Sequence, residues 1–366
     1  MAEKTRVLIF TTAYRPLIGG SEIAIEEIVK RLPNIYFDIL TPKHRSGLKN
    51  SEQFENGIIY RIGPGTLMDK FLFPILGFIK ALKFCPKIIH GYQASFGSGA
   101  AFIYKTFFPK TKFILTLQEG KNLEYQNYLT KYFRGLMIKK ADIITAISSY
   151  LVEYAKKINS RAEIVLIPNG VDLNKFKPGN NHHSKTVITV SRLVKKNGVG
   201  DLIEAMVVVG NEIPDAKLTI IGDGPLRESL TFKVKSLKLE NNVKFLGEIS
   251  NESIPEYLSM ADVFVRPSLS EGLGTSFLEA MAAELPIIAT PVGGIPDFLK
   301  DGETGLFCRI ADSKDLAEKI VRILKDEQLR EKIITNAKAL VAEKYDWNII
   351  ARKFEEIYAG QNHGHN

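Results

Sequence analysis

Short runs rich in Val, Ile, Leu and Phe alternate along the chain with longer stretches whose apolar residues recur at three- and four-residue spacing. The runs at 6–12, 36–41, 58–62, 87–91, 111–117, 142–146 and 162–167 read as strands, bounded by turn-forming residues. Between several of them, 21–32, 69–84, 124–140 and 148–158 carry the helical spacing. The pattern then restarts, with 186–191, 217–221, 243–246, 263–265 and 286–289 predicting strands that are each followed by a helix. Repeated strand–helix units of this kind predict parallel sheets covered on both faces. Beyond about residue 313 the pattern is helical to the end, closing with a helix over Trp347 to Tyr358 and a polar tail.

The restart marks a boundary. Residues 177–185, Lys-Pro-Gly-Asn-Asn-His-His-Ser-Lys, are polar and full of breakers, as an exposed linker is. The expected fold class is therefore α/β, with two doubly wound, Rossmann-like domains facing across a cleft, one over 1–176 and one over 184–345. Ligands of such sheets sit at the carboxyl ends of the strands, so two facing domains offer one shared site.

The length of 366 residues agrees with two domains at about 150 residues each. Hydrophobic residues make up 45% and charged residues 25%, which excludes a disordered, fibrous or disulfide-stapled chain. The two cysteines, Cys85 and Cys308, stand far apart with no Cys-x-x-Cys or Cys/His cluster, so a reducing cytoplasmic setting is expected and a zinc site is not. The first apolar run, Val7-Leu8-Ile9-Phe10, is too short for a signal-peptide core and reads as a buried strand. The longest, Phe71 to Ile79, spans nine residues and contains Pro74 and Gly77, against roughly 20 for a membrane-spanning helix.

Three segments carry candidate chemistry. Ser270-Glu-Gly-Leu-Gly-Thr-Ser-Phe-Leu-Glu-Ala280 follows a strand and opens a helix of good formers. Gly272 and Gly274 allow backbone N–H groups close to a ligand, and the helix N-terminus adds positive potential suited to a phosphate. Glu271 could hold sugar hydroxyls at the turn, and Glu279 those of a ribose; a capped surface helix with two solvated acids is the other reading, and spacing alone leaves both open. Thr189-Val-Ser-Arg192-Leu-Val-Lys195-Lys196-Asn197-Gly198 places an arginine and two lysines at a strand's functional end, where Arg can bind a diphosphate with two parallel hydrogen bonds. Gly19-Gly20-Ser21-Glu22 precedes an amphipathic helix, which is also what a plain helix start with Ser21 as N-cap looks like. Ile220-Ile-Gly222-Asp-Gly224-Pro is not a dinucleotide fingerprint, because the last glycine position is Arg227.

Taken together, Gly19-Gly20, Asn169-Gly170-Val171-Asp172, Ser191-Arg192-Leu193, Gly222-Asp-Gly224-Pro225, Glu271 with Glu279, and Gly293-Gly294-Ile-Pro296 resemble the family 4 glycosyltransferases of GT-B fold, in order and spacing over nearly the whole chain. The glutamate pair with seven intervening residues is the most specific mark. The resemblance implies a retaining transferase whose nucleotide-diphosphate sugar is held mainly by the C-terminal domain. It places the acceptor on the N-terminal domain and packs the closing helix, 346–359, back on that domain. It implies donor contacts from Gly19, Gly20, Arg192, Lys196, Asn197, Gly222, Glu271, Gly272, Gly274, Thr275, Ser276 and Glu279, with Arg192 on the diphosphate, Glu279 on the ribose and Glu271 on the sugar. Glu271, Arg192 and Gln118 are the residues expected at the reacting centre.

Four positions, in three segments, depart from the family pattern. The usual lysine five residues after the arginine is Asn197, with Lys196 beside it to supply the charge. The usual histidine near the donor sugar is Gln118, which can hydrogen-bond a hydroxyl but cannot take its proton at neutral pH. Thr275-Ser276 replaces a usual Leu-Pro. The departures keep a non-catalytic nucleotide-sugar-binding relative open as the alternative. A nicotinamide dehydrogenase is set aside for lack of the glycine fingerprint, and a nucleic-acid partner for lack of any basic-aromatic module.

No Asp-x-Asp pair occurs, so neither a metal nor another cofactor is expected beside the donor, and Arg192, a lysine and helix N-termini are left to meet the diphosphate's charge. The formal net charge of +8 is unevenly placed: residues 1–178 hold 26 Lys/Arg against 14 Asp/Glu, and the remainder 23 against 27. That surplus suits an anionic acceptor, glycan or lipid-linked, or a membrane surface that carries it. The amphipathic stretch Met68 to Phe84 reads first as a buried domain helix with exposed lysines, and a contact on the inner face of an anionic membrane is the sharper alternative.

Overall fold

The computed structural model describes residues 4–17, 19–120, 123, 126–159, 161–179 and 184–360. Residues 180–183 of the expected linker, residues 124 and 125 of the expected 124–140 helix, and the polar tail from 361 lie outside the described residues. Two compact units emerge, one running to Asn169 and resuming at Trp347, the other Gly170–Asp346.

The first unit runs β1 (Arg6–Phe10), α1 (Gly20–Arg31), β2 (Tyr36–Pro42), β3 (Ser51–Phe54), β4 (Gly57–Ile62), α2 (Asp69–Ala81), β5 (Ile88–Tyr92), α3 (Phe96–Phe107), β6 (Lys112–Leu117), α4 (Tyr128–Lys140), β7 (Ile143–Ala146), α5 (Ser149–Ile158) and β8 (Glu163–Leu166). Its sheet has the order β3-β4-β2-β1-β5-β6-β7-β8. β1 pairs with β2 on one side and β5 on the other, so the order reverses there and opens a crevice at the strands' carboxyl ends. The sheet is parallel, as expected, except at one edge, where β3 and β4 form an antiparallel hairpin. Ser51–Phe54 is mostly exposed and lacks an apolar pattern, so nothing marks it as a strand. Asn56 in its turn fixes the hairpin by donating to the carbonyls of Val29, Leu32 and Ile35 at 3.0, 2.9 and 3.2 Å.

α3 is a second element the pattern does not announce, because glycine and alanine occupy much of its packed face. Those small residues let it approach α2 closely: a Cβ added at Gly77 would lie 3.0 Å from that of Ala100.

The second unit contains β9 (Thr186–Val190), α6 (Val199–Glu212), β10 (Lys217–Ile221), α7 (Arg227–Ser236), β11 (Val243–Gly247), α8 (Ile254–Ser259), β12 (Val263–Arg266), α9 (Thr275–Ala282), β13 (Ile287–Ala289), β14 (Leu306–Phe307), α10 (Ser313–Lys325) and α11 (Glu327–Lys344). All its pairings are parallel, in the order β11-β10-β9-β12-β13-β14. β9 lies between β10 and β12, so the loops leaving β9 and β12 flank this sheet's own reversal point. Val187, Leu218, Val263 and Val265 on the strands pack with Leu202, Met206 and Ile320 on α6 and α10.

The last helix, α12 (Trp347–Ala359), belongs to the first unit. Its buried face of Trp347, Ile350, Phe354 and Tyr358 joins Val7, Ile28 and Phe37 in one core. The Tyr358 hydroxyl lies 2.8 Å from His90 Nδ1, and His90 Nε2 lies 2.6 Å from Thr116 Oγ1. Burial pushes the His90 pKa down to about 3, so the ring is neutral at ordinary pH and serves as a polar rivet between β5, β6 and α12.

Candidate active site

The site is built outward from the end of β12. All four residues of that strand are buried, and the last of them is an arginine, followed by Pro267. A guanidinium taken out of water must be paired, and Arg266 is. Its Nη2 lies 2.7 Å from Glu271 Oε2, its Nη1 lies 2.7 Å from Ser276 Oγ, and its Cζ sits 4.4 Å from the centroid of the Phe277 ring. Burial lowers the Arg266 pKa, and Glu271 and Glu279 work against that shift. Neither motif nor spacing singles this residue out. Its signal in the sequence is a cation closing an otherwise apolar strand.

Glu271 is gripped from several directions. The Gly272 N–H donates to Oε1 at 3.0 Å, and Lys196 Nζ stands 3.8 Å from the same oxygen. Behind it, Gly293 adopts a φ of +57°, and a Cβ there would stand 1.7 Å from the Glu271 carbonyl oxygen. Only glycine fits that contact, so the Gly293-Gly294 turn buttresses the Glu271 backbone. Gly274, at φ +88°, caps α9 without a side chain, and a Cβ there would come within 2.7 Å of Arg266 Nη2. As at any helix start, the first-turn N–H groups at Thr275 and Ser276 have no intrahelical acceptor and present positive potential.

Glu279 lies one turn inside α9, half-buried, with no hydrogen-bond partner among the described residues. Burial raises its pKa to about 7, against the opposing pull of Lys175 and Arg266. Hydrogen bonds from ligand hydroxyls would favour its ionised form.

The β9 loop supplies the other wall. Arg192 is exposed and follows the strand by two residues, while Lys195–Asn197 form a 3₁₀ turn. Asn197, expected among the donor contacts, lies within this turn. Asn197 is buried, and its Nδ2 donates to the Arg192 carbonyl at 2.7 Å, so it shapes the loop. The Lys196 carbonyl accepts from the Leu269 N–H at 2.6 Å, tying this loop to the one after β12. The charge at the site therefore comes from position 196. Gly222, after β10, packs on the Ser191 carbonyl, where a Cβ would stand 2.0 Å away.

Arg192, Lys196, Gly222, Glu271, Gly272, Gly274, Thr275, Ser276 and Glu279 thus share the strand ends of the second unit, with Asn197 beneath them. Gly19, Gly20 and Gln118 belong to the first. There Gly19 is the N-cap of α1, in extended conformation and with no side-chain cap. Ser21, the expected cap, is instead within the first turn, donating to Glu22 Oε1 at 2.8 Å. Gln118 follows β6 and donates from Nε2 to Asn169 Oδ1 at 3.1 Å, which orients its amide.

Among the described residues, no three His, Cys, Asp or Glu side chains come together as a metal site, and no helix is long and apolar enough to cross a membrane.

Comparison with known proteins defines the class as glycosyltransferase. The model for "Glycosyltransferase Family 4" matches residues 18–175 and that for "Glycosyl transferases group 1" matches 170–340, and the chain belongs to the family 4 glycosyltransferases. N-acetyl-alpha-D-glucosaminyl L-malate synthase of Bacillus anthracis is 32% identical over 232 residues, a match that spans 60% of either chain. Alpha-monoglucosyldiacylglycerol synthase of Acholeplasma laidlawii is 26% identical and matches over 96% of both chains. Among solved structures, sucrose-phosphate synthase from Thermosynechococcus elongatus superposes with a TM-score of 0.86 at 22% identity, covering 98% of this chain and 99% of that one. Anabaena HepE, solved in complex with UDP-glucose, gives 0.79 at 21% identity, covering 97% and 99%. These likenesses establish the GT-B fold.

Proposed function

We propose that the protein is a retaining glycosyltransferase that moves a sugar from a nucleotide-diphosphate sugar to a hydroxyl of a glycan or lipid-linked acceptor. The observation that carries this reading is Glu271 held between Arg266 and Lys196 beside the N-terminus of α9, with Glu279 one turn further in. The arrangement offers a fixed carboxylate for sugar hydroxyls, positive potential for a diphosphate and a second carboxyl group for a ribose. HepE, of the same fold, binds UDP-glucose, which supports the donor class. The Acholeplasma relative is named for a glucosyl-diacylglycerol product, which supports a lipid-linked acceptor.

In this reading Arg192 and Lys196 meet the growing negative charge on the departing diphosphate, the principal electrostatic task of the step. The bond from the sugar's anomeric carbon to phosphate oxygen breaks, and the acceptor oxygen bonds on the same face. The departing phosphate oxygen takes the acceptor's proton, and side chains with a helix N-terminus meet the diphosphate's charge without a metal. Gln118 positions a sugar hydroxyl and carries no proton. That inability favours one alternative, a nucleotide-sugar binder without transfer. Thermal stabilisation by a panel of nucleotide sugars, followed by assay of nucleoside diphosphate release, distinguishes the two. Stabilisation with release supports the transferase, stabilisation without release supports the binder, and no stabilisation by any donor overturns both.

A further inference from the structure

Two residues of the first unit hold a left-handed backbone conformation directly after a strand. His44, at φ +59°, is two residues beyond β2, and Gln93, at φ +63°, is one beyond β5. Lys238 and Glu284, also left-handed, follow helix ends, where that conformation is an ordinary stop signal. At a strand end a residue with a long side chain keeps it only when its surroundings enforce it, and such strain gathers at functional sites. β2 and β5 are the two neighbours of β1, so both residues flank the crevice where the strand order reverses.

The enforcing contacts are specific. The His44 N–H donates to Asp69 Oδ2 at 3.2 Å, and His44 Nε2 lies 2.7 Å from the Thr12 carbonyl oxygen. A carbonyl only accepts, so Nε2 carries the proton and Nδ1 of the neutral ring is left as an acceptor. The Gln93 N–H donates to the Thr116 carbonyl, and the Gln93 carbonyl accepts from the Ser95 N–H, both at 2.9 Å. Its Nε2 donates to Ser21 Oγ at 3.4 Å, and Ser21 gives its own proton to Glu22 Oε1, which leaves Gln93 Oε1 as the free end of the amide. Thr12 Oγ1, 2.8 Å from Ser95 Oγ, ties the loops after β1 and β5 together.

Gln118, after β6, repeats the arrangement, with Nε2 committed to Asn169. His44 Nδ1, Gln93 Oε1 and Gln118 Oε1 thus remain without a partner among the described residues, on three half-buried side chains. Adjacent strands lie about 4.8 Å apart, so the ends of β2, β1, β5 and β6 spread these atoms over about 14 Å. Acceptor atoms so spaced suit a ligand that offers several hydroxyl protons. The neighbouring charges do not suit an anion. The carboxylates of Glu22 and Glu119 stand beside Ser21 and Gln118 in the chain, with Glu119 Oε1 holding the Ala94 N–H at 2.8 Å. Of the cations on the adjoining loops, Arg15, Lys43 and Arg61 are engaged by Glu26, Asn50 and Glu52, while Arg45 and Lys49 are exposed.

We propose that His44 and Gln93 are specificity-determining residues that select a neutral sugar as the acceptor, whether or not a lipid carries that sugar. The word acceptor rests on the transferase reading above; the selection of a neutral sugar rests on this crevice alone. The test is saturation-transfer NMR of the full chain with methyl glycosides of glucose, galactose, mannose and N-acetylglucosamine, beside glucose 6-phosphate, glucuronate and malate, without donor. The expected result is binding of a neutral glycoside and not of the anions, weakened about tenfold or more in Gln93→Gly and in His44→Asn, because a site built to bond hydroxyls loses its partners. Glycine and asparagine both accept the left-handed backbone, so melting temperatures at or above wild type are expected and show that the variants remain folded. Binding of the anions in preference, no binding of any glycoside, or glycoside binding unchanged in both variants overturns the proposal. With the nucleotide sugar that most stabilises the protein added, the bound glycoside should speed nucleoside diphosphate release, and its KM should rise about tenfold in both variants while the donor KM moves less than threefold. Glycoside binding that depends on residues 44 and 93, without stabilisation by any donor, upholds the sugar site and overturns the transferase reading instead.

Discussion

Arg266 and Glu271 face each other at 2.7 Å across the turn between β12 and α9, one the last residue of a buried strand and the other on the ligand side of the turn. A buried pair of this kind adds little net stability, yet losing one partner leaves an uncompensated charge. Arg266→Met should therefore destabilise the protein by about 3–5 kcal/mol and release Glu271. Glu271→Gln keeps the shape and should melt closer to wild type while transfer is lost. Thermal melts paired with turnover separate the two effects, and a silent Arg266→Met would show that the pair does not organise the turn.

Gly293→Ala should be inactive although residue 293 makes no proposed contact with the donor. Its Cβ would stand 1.7 Å from the Glu271 carbonyl oxygen, so the Glu271 backbone must move. A misplacement of about 1 Å near reacting groups costs on the order of a hundredfold in rate. Steady-state kinetics with saturating donor check this.

Asn197→Ala should lower stability by about 0.5–1.5 kcal/mol, because the buried Asn197 amide's bond to the Arg192 carbonyl is lost while that carbonyl keeps the Val194 N–H at 2.9 Å. The accompanying fall in donor affinity would be indirect, through the loop that carries Arg192 and Lys196. Chemical denaturation and donor titration of the same variant measure both.

Glu279 makes donor binding depend on pH. Its pKa in the folded protein is about 7, above the ordinary 4.5, so the folded state keeps a proton that the unfolded chain releases between those values. The associated stability is present below the ordinary value and is lost as pH rises toward neutrality. Wild-type melting temperature should thus fall relative to Glu279→Gln over that range. Ribose hydroxyls donating to the carboxylate favour its ionised form, so donor affinity should rise through neutral pH in wild type and lose that slope in Glu279→Gln. Titration calorimetry in buffers of different ionisation enthalpy would register the proton released.

Most strands of both units were legible because β-branched runs need no tertiary context to be recognised, and the glutamate pair was legible because its spacing places both acids around one helix start. What stayed hidden depended on packing. α3 is rich in glycine and alanine chosen for close approach to α2, so its apolar rhythm is faint. β3 is polar because it lies at an exposed sheet edge. At the site, spacing put residue 197 at the right place in the chain, but the 3₁₀ turn directs its side chain inward and leaves position 196 beside Glu271. Arg266 was hidden for a related reason: its role exists only once Glu271 and Ser276 fold over it.

The central claim is that Arg192 meets the diphosphate of a nucleotide-sugar donor. Because Arg192 is exposed, Arg192→Ala should melt as wild type does without ligand, which makes its turnover readable. Measured as nucleoside diphosphate release with the donor that most stabilises the wild-type protein, its rate should fall by about a hundredfold or more. Release at a near-wild-type rate would contradict the account.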